Sequence, residues 1–192
     1  MKKETIEERC HFKTQRLSVS RWTNQIKDLM SENKFAKKVI EILTPNVTKA
    51  LPDGWQNLRS INDAKAWINA RDLESHFLSI QLNSTNETVG FIFLYESEAD
   101  QNCYDLRFGY LLSEKVWGKG MATELIEDLI KWCKEAGDIK TLSGGVECDN
   151  IGSIKVLEKT GFSVSTTDSH SKQVVFYDYQ FDINNTCKNK AK

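Results

Sequence analysis

The stretch VWGKGMATELIEDLIKWCKEAG, from Val116 to Gly137, joins two glycines and a lysine to a long amphipathic segment. Acidic residues come early in this segment and lysines come late, as a helix dipole favours. Apolar residues recur at spacings of three and four, which predicts a helix with one face packed on a sheet. These residues are Met121, Ala122, Leu125, Ile126, Leu129, Ile130 and Cys133.

The glycine pair Gly118 and Gly120 needs a physical reason, because glycine in a first helical turn costs up to about 1 kcal/mol relative to alanine. Bare N–H groups at a helix N-terminus can bind a phosphate, and glycine lets that anion approach closely. Lys119 would add a positive charge and Thr123 a hydroxyl. The alternative is a loop that needs glycine only for its turn. The spacing fits neither a P-loop nor a Rossmann fingerprint.

Composition indicates a globular protein. The chain has 192 residues, of which 40% are hydrophobic and 28% charged, and its formal net charge is −1. This predicts one domain over residues 14–183, with a polar extension at 1–13 and a basic, disordered tail at 184–192. The balanced charge argues against nucleic acid as a partner, and no apolar run approaches the roughly 18 residues of a membrane span.

Cysteine usage bears on the compartment. The five cysteines are odd in number, widely spaced and without a CxxC pair. This pattern predicts reduced thiols in a cytoplasmic protein rather than a disulfide framework or a zinc site. The three histidines are too scattered for a metal site, so no metal is expected. The N-terminus lacks the apolar stretch of a secretory signal.

Hydrophobic periodicity predicts the order β-α-α-β-β-β-α-β-α-β-β, which is a mixed α/β (α+β) fold. The predicted strands cover 16–22, 76–82, 88–96, 103–112 and 139–147, followed by a closing hairpin in 162–183. The predicted helices cover 24–43 with a break near Lys34, 62–73, 121–136 and 149–161.

Four stretches resemble, in order, the GNAT superfamily of acetyl-CoA-dependent N-acetyltransferases. Within it they are similar to the branch that includes the ribosomal-protein N-terminal acetyltransferases. The stretches are TQRLSVSRW, FGYLLSEKVWGKGMATE, VECDNIGSIKVLEKTGF and VVFYDYQF, and together they span about residues 14–182. The resemblance implies a mixed, mostly antiparallel central sheet flanked by helices. It also implies a V-shaped splay between the fourth and fifth predicted strands, 103–112 and 139–147.

The resemblance implies acetyl-CoA as co-substrate. Backbone groups near Leu111, Leu112 and Ser113 would pair with the pantetheine arm. Asn150 would contact the same arm, and Ser153 would lie on the same face one helical turn later. The pyrophosphate would be held by consecutive N–H groups, those of Trp117, Gly118, Lys119, Gly120, Met121, Ala122 and Thr123.

The reaction implied is direct attack of a primary amine on the thioester, and the sequence departs from the family pattern at two positions. Many relatives carry a tyrosine, the proton donor to the leaving thiolate, where this chain has Leu157, and Ser153 is the nearest substitute. Related sequences often carry a glutamate base where this chain has Arg107. Asp105 and Glu147 are then the candidate bases. The alternatives are an ion pair of Asp105 with Arg107, and a solvated strand end at Glu147.

The sequence thus predicts an N-acetyltransferase that acts on a protein N-terminus or a small-molecule amine. The alternative is a CoA-binding sensor or regulatory module with little catalysis, because the tyrosine is missing and the base is not evident. The two early helices and the loop 44–60 would shape the acceptor side, and they carry no motif. The exposed edges of a mixed sheet admit a homodimer.

Overall fold

The computed structural model of the protein describes residues 4–49, 51, 53–100, 103–166 and 173–182. Within these residues eight strands form one sheet, in the order β1-β2-β3-β4-β5-β6-β8-β7. The chain divides into two compact units. The first unit comprises the chain up to Phe93 together with Tyr110–Met121, and the second comprises Leu94–Gly109 and the chain from Ala122 onward.

The order of elements confirms the predicted mixed fold. The strands are β1 Phe12–Lys13, β2 Leu17–Arg21, β3 His76–Leu82, β4 Thr88–Asp100, β5 Cys103–Leu112, β6 Ile139–Glu147, β7 Ser163–Val164 and β8 Val174–Gln180. The helices are α1 Ile6–Arg9, α2 Leu29–Ile42, α3 Pro45–Thr48, α4 Ile61–Glu74, α5 Met121–Ala136 and α6 Ile151–Lys159. Short 3-10 helices lie at Trp22–Gln25, Asp53–Trp55 and Glu114–Val116.

In the first unit, helix α2 begins later than predicted. The prediction placed its start at residue 24, but Trp22–Gln25 form a 3-10 helix and α2 begins at Leu29. The reason is a local cap: the Asp28 carboxylate accepts the backbone N–H of Ser31 at 2.8 Å. An aspartate in this position satisfies N–H groups that the first turn leaves without partners. The break expected near Lys34 is wrong, because α2 is continuous to Ile42.

The N-terminal segment, for which no helix or strand was predicted, forms one short helix and one short strand. Helix α1 and strand β1 lie within residues 1–13, which the sequence analysis assigned to a polar extension. Ile6 is 2% exposed and Cys10 is fully buried. Glu7 bonds to Arg21 of β2 at 3.0 Å. Two apolar side chains four residues apart share a helix face, so even this short segment can bury a stripe.

An aromatic cluster fills the core of the first unit. Phe77 lies at its centre and is fully buried. Its ring contacts, at centroid distances from 5.1 to 6.0 Å, are Trp22, Trp67, Phe91 and Phe93. Helices α2 and α4 contribute Phe35 and Trp67 to the same cluster, and β5 contributes Leu111. The cluster therefore packs both early helices against the sheet and fixes the end of β5.

In the second unit, helix α5 ends at Ala136 as predicted, and its buried stripe includes Leu125, Ile126, Leu129, Ile130 and Cys133. Strands β5 and β6 are parallel, with pairs from Tyr104/Ile139 to Phe108/Gly144. β6 stays paired with the antiparallel β8 as far as Glu147. The described parallel pairs thus end before either strand does, which is where the splay was expected. The V-shaped opening itself stays a prediction.

The prediction that all cysteines are reduced thiols is wrong for Cys103, which is disulfide-bonded. Cys10, Cys133 and Cys148 carry thiols. Sequence spacing cannot reveal such a bond, because it depends on which residues the fold brings within about 7 Å. Disulfides are rare in cytosolic proteins, so Cys103 does not support the predicted cytoplasmic location. The predicted disordered tail, residues 184–192, lies outside the described residues.

Two further features concern the described part of the chain only. No helix there combines the length and apolarity that crossing a membrane requires. No group of three histidine, cysteine, aspartate or glutamate side chains is placed there to hold a metal ion.

Replacing Phe77 by alanine tests the aromatic core. We expect the variant to lose about 3–5 kcal/mol of unfolding free energy in urea denaturation, because a buried ring leaves a cavity that the surroundings only partly fill. The control is Leu73→Ala on the same unit, where the side chain is 88% exposed. That control should change stability by less than about 0.5 kcal/mol. Equal losses in the two variants would contradict the assignment of Phe77 to the core.

Candidate functional site

In the first unit, an exposed glycine loop follows β5 and leads directly into α5. The backbone is left-handed at Gly118 (φ +69°) and Gly120 (φ +74°). Residues other than glycine rarely adopt this backbone conformation. A Cβ atom at Gly118 would meet nothing within 4 Å, so conformation rather than crowding selects glycine there. The turn alone accounts for glycine, and the same geometry leaves an exposed backbone before a helix N-terminus.

Three backbone carbonyls in and beside this loop accept hydrogen bonds from side chains of the first unit. The indole Nε1 of Trp117 donates to the carbonyl of Leu112 at 2.7 Å. The ammonium of Lys119 donates to the carbonyl of Lys115 at 2.7 Å. The guanidinium of Arg16 donates to the carbonyl of Lys119 at 2.9 Å. Lys119, whose charge was predicted to face a phosphate, thus binds its own loop in this structure.

The end of β5 is held closely against β4 in the same unit. A Cβ atom at Gly90 would lie 2.3 Å from the carbonyl oxygen of Leu111, so only glycine fits there. The N–H of Ser113 donates to the carbonyl of Val89 at 2.7 Å. The Leu112 carbonyl is engaged by the Trp117 indole. Two backbone groups that were predicted to pair with the pantetheine arm are therefore already bonded within the protein.

In the second unit, Asn150, Ser153 and Glu147 come together at the end of β6. Asn150 is the N-cap of α6, and its Oδ1 accepts the backbone N–H of Ser153 at 3.1 Å. The N–H of Asn150 donates to the carbonyl of Glu147 at 2.9 Å. The sequence predicted that Asn150 and Ser153 share a helical face. The structure links them instead through a cap, with Asn150 just outside the helix.

The structure separates the two predicted bases. Asp105, on β5, pairs with Thr141 of β6. Glu147 is the last residue of β6 and lies about 20 Å beyond Thr141, at roughly 3.3 Å per residue. They cannot serve one reacting atom. The ion pair of Asp105 with Arg107, considered as an alternative, is not among the ion pairs of the described residues, and the Arg107 guanidinium lies 5.3 Å from the ring centroid of Phe176. The Oδ1 of Asp105 is buried without a hydrogen-bond partner in the described part of the chain.

Helix α6 has no hydroxyl at the position where many relatives carry tyrosine, because Leu157 is buried there at 3% exposure. A tyrosine on a strand does contact the residue next to Leu157, which is Glu158. The hydroxyl of Tyr177, on β8, donates to the Glu158 carboxylate at 3.4 Å. Burial raises the pKa of Tyr177, so the phenol stays protonated at neutral pH. No local pattern indicated Tyr177, since it lies twenty residues from Leu157 and only strand pairing brings it to this helix.

Glu114 is a second residue whose contacts no sequence pattern indicated. In the first unit its carboxylate accepts hydrogen bonds from the hydroxyl of Thr44 and, at 2.9 Å, from the amide of Asn46. These bonds lower the pKa of Glu114, with the bond from Thr44 as the larger cause. The carboxylate thereby ties the start of α3 to the segment immediately before the glycine loop. Nothing in the spacing of residues 44, 46 and 114 indicates this contact.

The Glu114 contact predicts a pH dependence of stability. Because the pKa of Glu114 is lower in the folded than in the unfolded protein, its stabilisation is complete above about pH 4.3. It is lost as the pH falls through the lowered value. The difference in unfolding free energy between the wild type and Glu114→Gln should therefore shrink on acidification, measured by urea denaturation from pH 7 to pH 3. A constant difference would contradict the contact. Glu127→Gln, at an exposed position of α5, is the control and should show no such trend.

Comparisons with known proteins agree with this geometry. A family model described as an acetyltransferase (GNAT) domain matches residues 21–163. A curated relative, the uncharacterized N-acetyltransferase p20 of Bacillus licheniformis, is 29% identical over 121 residues, which are 62% of this chain and 67% of the relative.

Solved structures share the fold. A GNAT-family acetyltransferase from Bacillus anthracis has a TM-score of 0.69 at 18% identity, over 88% of this chain and 98% of that one. RimL, a ribosomal L7/L12 alpha-N-protein acetyltransferase in complex with coenzyme A, has a TM-score of 0.68 at 18% identity, over 89% of this chain and 97% of that one. The family model covers well over half of the chain, which therefore belongs to the GNAT family of N-acetyltransferases.

Proposed function

We propose that the protein acetylates a primary amine by direct attack of the amine nitrogen on the thioester carbon of acetyl-CoA. The family transfers acetyl groups from acetyl-CoA in general. The observation that carries the proposal for this chain is the exposed loop with left-handed Gly118 and Gly120, placed directly before a long helix. Acetyl-CoA supplies an activated acyl group and a thiolate leaving group.

The position and exposure of the glycine loop support its proposed role in binding the donor. The loop residues 117–120 are exposed, and they lie directly before the start of α5, where a helix leaves N–H groups without intrahelical partners. No neighbouring atom lies within 4 Å of a Cβ built at Gly118, so an anion has room to approach. We assign the pyrophosphate to the N–H groups from Gly118 to Thr123. The N–H of Trp117, which the sequence analysis included, already donates to the carbonyl of Glu114 at 3.1 Å. Leu111 and Leu112 would face the pantetheine arm. The family resemblance also assigns Asn150, a residue of the second unit, to this arm.

Glu147 and Ser153 are the proposed proton-handling groups. The amine is protonated at neutral pH and must lose a proton before it attacks, and Glu147 is a carboxylate at the end of β6. The departing thiolate needs a hydrogen bond, and the hydroxyl of Ser153 is the proposed donor, since Leu157 cannot donate one and the Tyr177 hydroxyl already donates to Glu158. Asp105 is no longer part of the proposal because it lies at the other end of the strand pair. Positioning of the two reactants would supply much of the rate enhancement.

The acceptor is proposed as a class. RimL is a ribosomal-protein alpha-N-acetyltransferase, and by analogy a protein N-terminus is one candidate, with a small-molecule amine as the other. A panel of N-terminal peptides and small amines, assayed for thiol release, would separate them. The alternative, a CoA-binding module with little catalysis, is favoured by Leu157 at the tyrosine position. Tight donor binding with no turnover across the panel would support it. A cytoplasmic location and a homodimer are also proposals, and size-exclusion chromatography tests the latter.

Variants of Gly120 distinguish anion binding from a simple turn. We expect Gly120→Glu to weaken acetyl-CoA binding in calorimetry by at least about 30-fold, or roughly 2 kcal/mol, because a carboxylate would block and repel the pyrophosphate. Gly120→Asn keeps the left-handed backbone accessible and should bind more weakly than wild type through bulk alone. Gly137→Asn is the matched control at φ +70°. Unchanged binding by Gly120→Glu would mean that the glycines serve only the turn.

Replacing Glu147 by glutamine tests the base. Once the panel has identified an acceptor, we expect kcat to fall by about 10²-fold or more, as for other general bases, with the Kd for acetyl-CoA unchanged. Asp149→Asn, an exposed carboxylate two positions away, is the control and should keep kcat. If both variants retain full kcat, Glu147 is only a solvated strand end.

A further inference from the structure

Arg16 connects the start of β2 to the glycine loop within the first unit. Its Nη1 donates to the carbonyl of Lys119 at 2.9 Å, across 103 positions of sequence. Its Nη2 lies 3.8 Å from where a Cβ atom at Gly120 would be. The guanidinium therefore reaches the loop at the peptide that joins Lys119 to Gly120.

The backbone of Arg16 is held firmly. The hydroxyl of Thr14 accepts the N–H groups of Arg16 at 3.2 Å and Leu17 at 2.8 Å. On the other side, the backbone N–H of Asn83 donates to the carbonyl of Arg16 at 2.8 Å. The Asn83 side-chain amide donates to the carbonyls of Thr14 at 3.1 Å and Gln15 at 3.3 Å. The backbone from which the Arg16 side chain extends is therefore fixed, so the entropy lost on binding the loop is that of the side chain alone.

The geometry of a trans peptide gives this contact a consequence for the loop. The carbonyl of Lys119 and the N–H of Gly120 belong to one planar unit and point in opposite directions. A guanidinium bonded to the carbonyl thus turns the Gly120 N–H away from Arg16. It also keeps the carbonyl oxygen, which would repel an anion, turned toward a cation. A charged donor on the carbonyl further polarises the peptide and strengthens its N–H as a donor.

We propose that Arg16 is a positioning residue for the acetyl donor: it orients the Lys119–Gly120 peptide so that the Gly120 N–H binds the pyrophosphate of acetyl-CoA. This rests on the proposed function, which assigns the pyrophosphate to the loop. Arg16 acts through the loop backbone, and the effect is confined to donors that carry the pyrophosphate.

The test compares Arg16→Met, which removes the donor, with Arg16→Lys, which keeps a charge and an N–H. The control is Lys13→Met, which removes an exposed charge from the same segment without a described contact to the loop. We measure the Kd for acetyl-CoA by calorimetry, and kcat/KM with acetyl-CoA and with S-acetylpantetheine, which lacks the pyrophosphate. Thermal unfolding confirms that each variant is folded.

We expect Arg16→Met to weaken acetyl-CoA binding by about tenfold, to the same extent in low and high salt, since a hydrogen bond is screened less than a bare charge. Arg16→Lys should recover part of the loss, and S-acetylpantetheine should be used equally well by all variants. Equal losses with both donors would show a merely structural role and overturn the proposal. A loss that disappears in high salt would overturn it in favour of direct charge attraction.

The outcome separates this inference from the function on which it rests. Wild-type protein that does not bind acetyl-CoA would refute the proposed function itself. Wild-type protein that binds acetyl-CoA, with Arg16→Met binding equally well, would refute only the role of Arg16. If Arg16→Met does not fold, Arg16→Lys decides: unchanged use of S-acetylpantetheine with weaker acetyl-CoA binding supports the proposal, and equal weakening with both donors overturns it.

Discussion

A backbone that turns through two left-handed residues, Gly118 and Gly120, is the constraint on which the proposed site depends. It ends the strand β5 and starts the helix α5 within a few residues. A side chain that does not tolerate a positive φ would strain the turn, and the helix start beside it leaves N–H groups without partners. The loop is exposed, so its conformation is held by contacts elsewhere in the first unit.

Those contacts are made by carbonyl groups. The carbonyls of Leu112, Lys115 and Lys119 are each bonded to a side chain of the first unit. Binding the acceptors of a loop within the protein leaves its donors for a ligand, which is how a flexible glycine segment can be organised in advance without bulky neighbours. Glu114 adds a further tie from the same segment to the start of α3.

The aromatic cluster around Phe77 also holds the segment before the glycine loop in place, through packing in the core. It packs α2 and α4 on the sheet and includes Leu111 of β5. The segment that precedes the glycine loop therefore begins in a close-packed core, where side chains have little freedom to shift. The early helices, which carry no recognisable motif, contribute to the site by this packing as well as by any contact with an acceptor.

The sequence by itself determined the elements and the family. Helix α5 and the strands β5 and β6 follow from periodicity and local residue types, and four stretches of sequence, one of them the glycine loop, indicated the family that the comparisons confirm. Only the tertiary structure decided which side chains meet. Strand pairing and contacts between distant segments bring three pairs of residues together and keep one pair apart. The pairs that meet are Arg16 with Lys119, Glu114 with Thr44 and Tyr177 with Glu158, and the pair kept apart is Asp105 and Glu147. Local spacing encodes the period of an element, whereas long-range contacts depend on how elements pack, and no pattern within a single segment carries that information.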